Sequence, residues 1–385
     1  FIINPKKDNG YIEYDYLCAT TLTYFFLDLL IKKNEVKFNI SDFLIYVLLA
    51  TVCDVMPLRK LNRLIALTVL KKFDVNNNIV LKELFKLSNK TSKLNINDLG
   101  YLIGPILNAG GRLGKSGYAS ELLSSDKLDV VNIKCSELFK LNNKRKEIET
   151  LIIKEIDFKE IENKNKEIII YYKSNLNEGL IGIIAARLKE HFNKPSIVIT
   201  NSNDLLKGSA RSVFNYNIGR AIKNLADQHI IISGGGHNMA AGFTLKKNRL
   251  KNFEDSILYD YLKTGVSQNN NFTYDSEISS LAFNEDFYAD IKKLGPFGTG
   301  NPVPTFLIKD LKIIKSTVLN DKHISLVLKS KTGFSIKSIS FNSVNNKVGE
   351  YLINYKNTLN VLGQINENFW NNKNTLQLTI RDLIL

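Results

Sequence analysis

The stretch KEIIIYYKSNLNEGLIGIIAARLKEHFNKPSIVIT, residues 166–200, decides the fold class of this chain. Its two ends, KEIIIYY and KPSIVIT, are short runs rich in isoleucine and valine, as is typical of β-strands. Between them, the apolar residues of 177–192 recur at the spacing of an amphipathic helix. A strand, a helix and a second strand in this order predict an α/β domain, in which helices pack on a sheet.

The alternation of strand and helix continues beyond this stretch. LLKGSARSV at 205–213 predicts a strand that ends in a turn, and NIGRAIKNLA at 217–226 predicts a helix. HIII at 229–232 is apolar and β-branched, which predicts a short buried strand. The α/β domain is therefore expected to extend to at least residue 232.

SGGGHNMAAG at 233–242 combines three glycines with one of the four histidines of the chain. We interpret it as a glycine turn that delivers His237 to the start of a helix, with close packing permitted by the small residues of 240–242. Glycines let a ligand approach the backbone, and a helix start offers unpaired N–H groups to an anion. A tight turn with a surface histidine is the alternative interpretation.

The flanking regions differ from this α/β domain. The region before it is interpreted as α/β and helical segments, and residues 127–162, which lack glycine and proline, predict a connecting helix with a charged, solvated face. After a turn rich in proline and glycine, several short alternating strands predict a small β-barrel. The predicted segments are 1–118, 119–164, 165–265 and 266–385.

The composition limits the classes of function. The 385 residues suffice for two or three domains, and no apolar run reaches the length of a membrane span, so no membrane association is expected. Lysine and arginine number 52 against 38 acidic residues, and the net charge of +14 favours a polyanionic partner. The three cysteines lack the spacing of metal ligands, which predicts a reduced, cytoplasmic setting.

Three residues stand out by their type and their neighbours. The chain is rich in lysine but has only nine arginines, so Arg112 in NAGGRLG and Arg211 in KGSARS are expected to be needed for their planar guanidinium groups. Asp54 ends an apolar run in ATVCDVMPL. It is a candidate ligand for a hard metal ion, and a helix-capping aspartate is the commoner alternative.

Six short motifs stand in a fixed order along the chain. They are TVCDVMPL (51–58), LGYLIGPILNAGGRLG (99–114), NEGLIGIIAARLKE (177–190), KGSARS (207–212), GGGHNMAAGFTL (234–245) and PFGTGNPVPTF (296–306). Their wording and order resemble RecJ, the family of single-strand-specific 5′→3′ exonucleases in the DHH phosphoesterase superfamily. The resemblance covers nearly the whole chain.

The resemblance implies a domain for each segment of the chain, together with a substrate, a cofactor and a partner. Residues 1–118 would be the later part of a DHH catalytic domain, 119–164 a connecting helical segment, 165–265 the DHH-associated domain with the GGGH motif, and 266–385 an OB-fold that binds nucleic acid. The implied substrate is single-stranded DNA, with Mn²⁺ or Mg²⁺ as cofactor. A single-strand-binding protein or a helicase is a further implied partner.

The resemblance also implies roles for individual residues. Asp54 would be the last of the metal-binding aspartates, and Asn108, Arg112 and His237 would lie in the catalytic cleft. The remaining residues would receive the 5′ end and the backbone phosphates. They are Lys207, Gly208, Ser209, Arg211, Gly234, Gly235 and Gly236. Backbone amides, a hydroxyl and a guanidinium are the groups that a phosphodiester requires around it.

One feature of the family is missing from the sequence. No DHH triplet and no Asp-x-Asp cluster occurs in the 385 residues, although these motifs supply most of the metal ligands in the family. Hydrolysis assisted by two metal ions needs several such ligands. FIINP at 1–5 resembles the segment that follows the DHH triplet, so we expect that the sequence starts inside a longer protein.

Three functions remain in competition. The first is a RecJ-like exonuclease that releases mononucleotides in DNA repair and recombination. The second is a DHH phosphoesterase for short oligonucleotides or cyclic dinucleotides, although the predicted barrel favours a long strand. The third is a catalytically inactive fragment that binds single strands, for which barrel aromatics such as Phe369 and Trp370 would serve.

Overall fold

The computed structural model describes most of the chain. The chain forms two compact units, each with most of its residue contacts inside the unit. The described residues are 2–7, 12–164, 166–264, 273–344, 346–354, 357–370 and 373–384. The side chains of Phe369 and Trp370, the two predicted barrel aromatics, lie outside the described part. One unit comprises Phe1–Phe73 and Asn270–Leu385, and the other comprises Asp74–Asn269. The four predicted segments do not coincide with these units and stay a prediction.

The described residues before Ile169 form helices and no strands, so the α/β interpretation of this region was wrong for them. The helices are α1 Ala19–Lys33, α2 Leu44–Cys53, α3 Lys60–Lys72, α4 Ile79–Leu87, α5 Gly104–Arg112, α6 Tyr118–Leu123, α7 Leu128–Glu155 and α8 Phe158–Asn163. A π-helical turn, Asp98–Ile103, leads directly into α5. Helices therefore supply all the regular structure ahead of the sheet in the described part of the chain.

The predicted connecting helix is two helices. The main one, α7, runs for 28 residues, and α8 follows after a short break. The break lies at Asp157, whose carboxylate accepts a hydrogen bond from the backbone N–H of Glu160 at 2.9 Å. This is an N-cap, which starts a new helix rather than continuing the old one. The prediction of a helical connection is confirmed, apart from this break.

The region from 166 onward forms a five-stranded sheet with three helices. Its elements are β1 Ile169–Tyr172, α9 Ile181–Phe192, β2 Ser196–Ser202, β3 Leu205–Arg211, α10 Ile218–Asp227, β4 Ser233–His237, β5 Ala240–Lys246 and α11 Leu250–Lys263. The strand order is β1-β2-β3-β5-β4, with β1 and β2 parallel and the other pairs antiparallel. The α/β prediction is confirmed for this region.

The two faces of this sheet differ in how they are covered. On one face, Leu206 and Phe243 pack in a core with side chains of α10 and α11. On the other face, Val198 of β2 packs against α9. Residues alternate between faces along a strand, so Lys207, Ser209 and Arg211 lie on the α9 side of β3. This alternation brings three of the predicted phosphate-binding residues onto one surface.

The interpretation of SGGGHNMAAG as a turn and a helix was wrong. The glycines and His237 form β4, a turn at 238–239 follows, and the alanines begin β5, so the segment is a β-hairpin. Residues 240–246 alternate between the buried core and the open face. This two-residue period outweighs the helix propensity of the alanines. HIII is likewise not a strand, because its residues form a bend before β4.

The carboxy-terminal region forms a barrel. Its elements are β6 Ser276–Glu277, α12 Glu285–Lys293, β7 Phe306–Leu319, β8 His323–Ser330, β9 Ser335–Ser340, α13 Lys347–Asn354, β10 Thr358–Trp370 and β11 Lys373–Ile384. The order is β10-β11-β9-β8-β7-β6, and an additional pairing of β10 with β7 closes five strands into a barrel around an apolar core. The prediction of a small β-barrel is confirmed.

Two of the sequence motifs contact each other within the first unit. The backbone N–H of Leu58, in the segment after Asp54, donates to the carbonyl oxygen of Thr299 at 2.6 Å. The guanidinium of Arg63 donates to the carbonyl oxygens of Leu294 and Gly295 at 3.1 and 2.7 Å. Hydrogen bonds thus hold the segment after Asp54 against the PFGTGNP turn.

Candidate nucleic-acid interface

An open cleft of about 1040 Å³ lies in the second unit. It is lined by the end of α5, the loop that leads into α9, and the three strands β3, β5 and β4. The lining residues include Gly111, Arg112, Asn177, Gly182, Lys207, Gly208, Ser209, Arg211, Gly234, Gly242 and Thr244. The structure therefore brings together six predicted site residues that lie far apart in the sequence or on different elements.

Arg112 is the last residue of α5 and is half-buried. Its Nη1 donates to the carbonyl oxygen of Gly179 at 2.9 Å. Gly179 has no room for a side chain, because a Cβ there would lie 2.2 Å from the backbone oxygen of Arg112. Burial lowers the pKa of Arg112, as does the nearby positive charge of Arg145. The guanidinium is thus held at a fixed place in a partly dehydrated setting.

Arg211 lies across the cleft from this loop, at the end of β3. Its Nη1 donates to the hydroxyl of Ser209 at 3.2 Å and to the carbonyl oxygen of Ala210 at 2.8 Å. Burial lowers the pKa of Arg211, and the positive charge of Arg112 lowers it further. Two half-buried guanidinium groups thus repel each other across the cleft. Within the described residues neither lies within ion-pair distance of a carboxylate, and Glu149, which pairs with Arg145 and Arg187, only partly offsets the lowered pKa of Arg112, so a bound anion would relieve the repulsion.

The amino terminus of α9 adds backbone donors to the same cleft. Ile181 and Gly182, its first two residues, line the cleft, and the first N–H groups of a helix have no partner inside the helix. A Cβ on Gly182 would lie 2.8 Å from Nη2 of Arg211 and 3.0 Å from the Ser209 hydroxyl, so a side chain here would displace both of these groups. The helix dipole and these amides favour a negative charge at this point.

The floor of the cleft is bare backbone at Gly242, and this bare row continues beside the cleft at Gly235. Ser209 on β3 pairs with Gly242 on β5, and Gly242 pairs with Gly235 on β4. A Cβ on Gly235 would meet nothing within 4 Å, and one on Gly242 would meet nothing nearer than 3.9 Å. Glycine in a strand interior weakens the strand and often marks a place where a ligand approaches the backbone. The other glycines of this hairpin, Gly234 and Gly236, are required by packing instead.

Lys207 lines the cleft but is already engaged. Its Nζ lies 2.7 Å from a carboxylate oxygen of Glu178, and both side chains are substantially exposed. The hydrogen bond from Lys207 lowers the pKa of Glu178, and one from Ser202 adds to the effect. An exposed ion pair contributes little free energy, so an incoming phosphate can compete for Lys207.

His237 lies on the same face of the sheet as Arg211. Arg211 pairs with Ala240, which pairs with His237, so two strand spacings, roughly 10 Å, separate the two backbones. The His237 side chain is exposed, and its backbone is held by the start of α10, where a Cβ on Gly219 would lie 2.6 Å from the His237 carbonyl oxygen. His237, Gly235 and Gly236 lie beside the cleft and are not among its lining residues.

Asn108 also lies outside the lining of the cleft. It is exposed on α5, four residues before Arg112, so both side chains lie on one side of the helix. Its predicted place in a catalytic cleft stays a prediction.

Asp54 belongs to the first unit, where it follows α2 as the C-cap residue and is exposed. The alternative of a capping aspartate is wrong in its usual form, because that role belongs to the amino terminus of a helix. A carboxylate at the carboxyl end is disfavoured by the helix dipole and would gain from a cation.

The described residues contain no cluster of three or more His, Cys, Asp or Glu side chains that could hold a metal ion. One carboxylate is a suitable hard ligand, but it does not complete a site for Mn²⁺ or Mg²⁺. Burial and, to a lesser extent, the negative charge of Asp54 raise the pKa of the neighbouring Cys53 to about 11, so that thiol remains protonated at neutral pH.

Comparison with known protein families assigns two domains to the part of the chain after residue 164. A DHHA1 domain model matches residues 165–262, and a RecJ OB domain model matches residues 274–382. In the part of the chain that the structure describes, no helix is both long and apolar enough to cross a membrane.

Two similar curated proteins are both named single-stranded-DNA-specific exonuclease RecJ. The one from Bacillus subtilis is 29% identical over 87% of this chain, and the one from Haemophilus influenzae is 30% identical over 82%. These matches cover 43% and 58% of the relatives, so the chain spans about half the length of the curated relatives it matches.

A solved structure with the same fold is RecJ in complex with Mn²⁺ from Thermus thermophilus. It covers 90% of this chain and is itself covered to 50%, with a TM-score of 0.75 and 20% identity. A second structure of that protein, in complex with Mg²⁺, has a TM-score of 0.73. The chain is therefore RecJ-like, with a DHHA1 domain followed by a RecJ OB domain.

Proposed function

We propose that the cleft binds phosphate groups at the 5′ end of a DNA single strand, as part of a RecJ-like 5′→3′ exonuclease that releases mononucleotides in DNA repair and recombination. The observation that carries this proposal is the pair of half-buried arginines, Arg112 and Arg211, without a carboxylate partner in the described residues. The Ser209 hydroxyl and the start of α9 add donors that suit phosphate oxygens.

Each part of the cleft then has a task. The planar forks of Arg112 and Arg211 orient phosphate oxygens, and the bare floor beside Ser209 gives the strand access to the sheet. His237, exposed on the same face, is placed to contact a neighbouring phosphate. Lys207 would exchange Glu178 for phosphate when the strand arrives.

Hydrolysis in this proposal depends on Mn²⁺ or Mg²⁺, which would polarise the phosphodiester and activate water. Similar structures are RecJ with these two ions. Asp54 is the one candidate ligand of this chain, and the described residues do not complete a metal site around it. No step of the reaction is therefore assigned to residues of this chain beyond the binding and orientation of the strand.

The same proposal includes the length of the substrate, the cellular setting and a protein partner. The barrel would supply a second surface for single strands, which favours a long substrate over short oligonucleotides or cyclic dinucleotides. Cys18, Cys53 and Cys135 form no disulfide bond, and a reduced cytoplasmic setting is part of this proposal. A single-strand-binding protein or a helicase would be a further partner.

The 385-residue chain is expected to bind single-stranded DNA and to hydrolyse it poorly. Binding is expected to fall steeply with added salt, because phosphate contacts release counterions. The test mixes the purified chain with end-labelled single strands and Mn²⁺, and follows the mobility shift and mononucleotide release together. An absent shift at low salt would contradict the binding proposal. Rapid release that Asp54→Ala abolishes would contradict the expectation of poor hydrolysis.

His237→Ala is expected to weaken strand binding several-fold while leaving the thermal midpoint unchanged. Its side chain is exposed, so its removal opens no cavity and breaks no core contact. The measurement is a titration of labelled single strands, paired with thermal denaturation. A fall in the thermal midpoint that matches the loss of binding would assign His237 a structural role instead.

A further inference from the structure

Phe214 is one of the most exposed large side chains of the chain. Its exposed fraction is 82%, although it is an aromatic residue in a folded domain. Single exposed apolar residues are common on proteins and need no ligand. Phe214 differs from such residues in two respects, namely the rigidity of the turn that carries it and the place of that turn beside the cleft.

The turn that carries Phe214 is fixed at both ends. Ser212 and Tyr216 are only 1% and 2% exposed, and the Ser212 hydroxyl donates to the Tyr216 carbonyl oxygen at 2.7 Å. The Tyr216 hydroxyl in turn lies 3.2 Å from a carboxylate oxygen of Asp260. Between these anchors, the backbone N–H of Tyr216 donates to the carbonyl oxygen of Val213 at 3.4 Å. The ring is therefore presented to solvent by a preformed turn.

The turn also lies next to the proposed phosphate-binding residues. Phe214 is three residues after Arg211, so their Cα atoms are at most about 11 Å apart. The N–H of Ser212 donates to the carbonyl oxygen of Met239 at 2.9 Å, which fixes the turn against the tip of the hairpin that carries His237. The turn that carries the exposed ring thus lies close to Arg211 and to the hairpin tip that carries His237.

We infer that Phe214 is a stacking platform for a nucleobase of the strand whose phosphates occupy the cleft. This inference rests on the proposed function. Single-strand-binding proteins combine a basic groove with aromatic rings on which bases stack, and stacking accepts every base because each has a flat π-face. The ring carries no hydrogen-bonding group, so the contact adds affinity without reading sequence.

The test compares an oligothymidylate of about five nucleotides with an abasic oligonucleotide of the same length and charge. Fluorescence anisotropy of both labelled strands gives the affinities. Phe214→Ala is expected to weaken oligothymidylate binding about tenfold and to leave abasic binding and the thermal midpoint unchanged. Phe214→Trp is expected to restore the preference for the strand that carries bases.

Tyr259→Ala is the matched control. Tyr259 is 68% exposed on α11, which packs on the opposite face of the sheet, so its removal is expected to change neither affinity. If Phe214→Ala bound oligothymidylate as tightly as the parent, the stacking inference would be wrong, and the phosphate site would stand. If Arg211→Ala left abasic binding unchanged, the phosphate site itself would be wrong.

Discussion

Replacement of Arg211 by alanine is expected to weaken the binding of 5′-phosphorylated single strands by about 10- to 100-fold. Hydrogen bonds to charged groups contribute roughly 1.5–3 kcal/mol each, and half-buried Arg211 lines the cleft and donates to the Ser209 hydroxyl. Its removal also leaves Arg112 as the only guanidinium among the described lining residues of the cleft. The measurement is a titration of labelled strands with and without a 5′ phosphate at fixed salt.

Two further variants sharpen this experiment. Arg211→Lys keeps the charge but replaces the planar fork by a point charge, so it is expected to restore binding only in part. Lys207→Ala is expected to have a smaller effect, since Lys207 is exposed and already paired with Glu178. Equal affinity of Arg211→Ala and the parent for both kinds of strand would contradict the assignment of the cleft.

The parts of the fold that sequence patterns predicted are those with strong local periodicity. The strands and helix of 166–200 and the strands of the barrel formed as expected, and the helical segment before them formed with a break at Asp157. The hairpin at Ser233–Lys246 was missed, because glycines carry no periodic signal and alanines favour helix on propensity. Its register with β3 comes from tertiary packing, in which Phe243 and Leu245 face the core.

The site was predictable where residue chemistry alone was informative. Arg112 and Arg211 stood out as rare arginines among lysines, and both line the cleft. The role of Gly179 as acceptor and the bare floor at Gly242 could not be predicted in this way. They depend on which backbone lies opposite, and only the folded chain determines that. The offset of Phe214 by three residues from Arg211 was visible in the sequence, but its exposure was not.

Gly179→Ala is expected to destabilise the second unit by about 3 kcal/mol and to abolish strand binding. The new Cβ would lie 2.2 Å from the carbonyl oxygen of Arg112 and 2.8 Å from its carbonyl carbon. Both are backbone atoms, which cannot rotate away as the end of a side chain can. Relief therefore requires the loop before α9 to separate from the end of α5, and this breaks the hydrogen bond that holds Arg112.

Gly111→Ala is the matched control for this prediction, since it also lies at the end of α5 and lines the same cleft. A Cβ there meets nothing within 4 Å, and alanine favours a helix over glycine by about 1 kcal/mol, so its thermal midpoint is expected to equal or exceed that of the parent. Thermal denaturation and titration with labelled single strands compare the stability and the strand affinity of the two variants. If Gly179→Ala were as stable as Gly111→Ala and bound the strand normally, the contact between α5 and the loop before α9 would not be what positions Arg112.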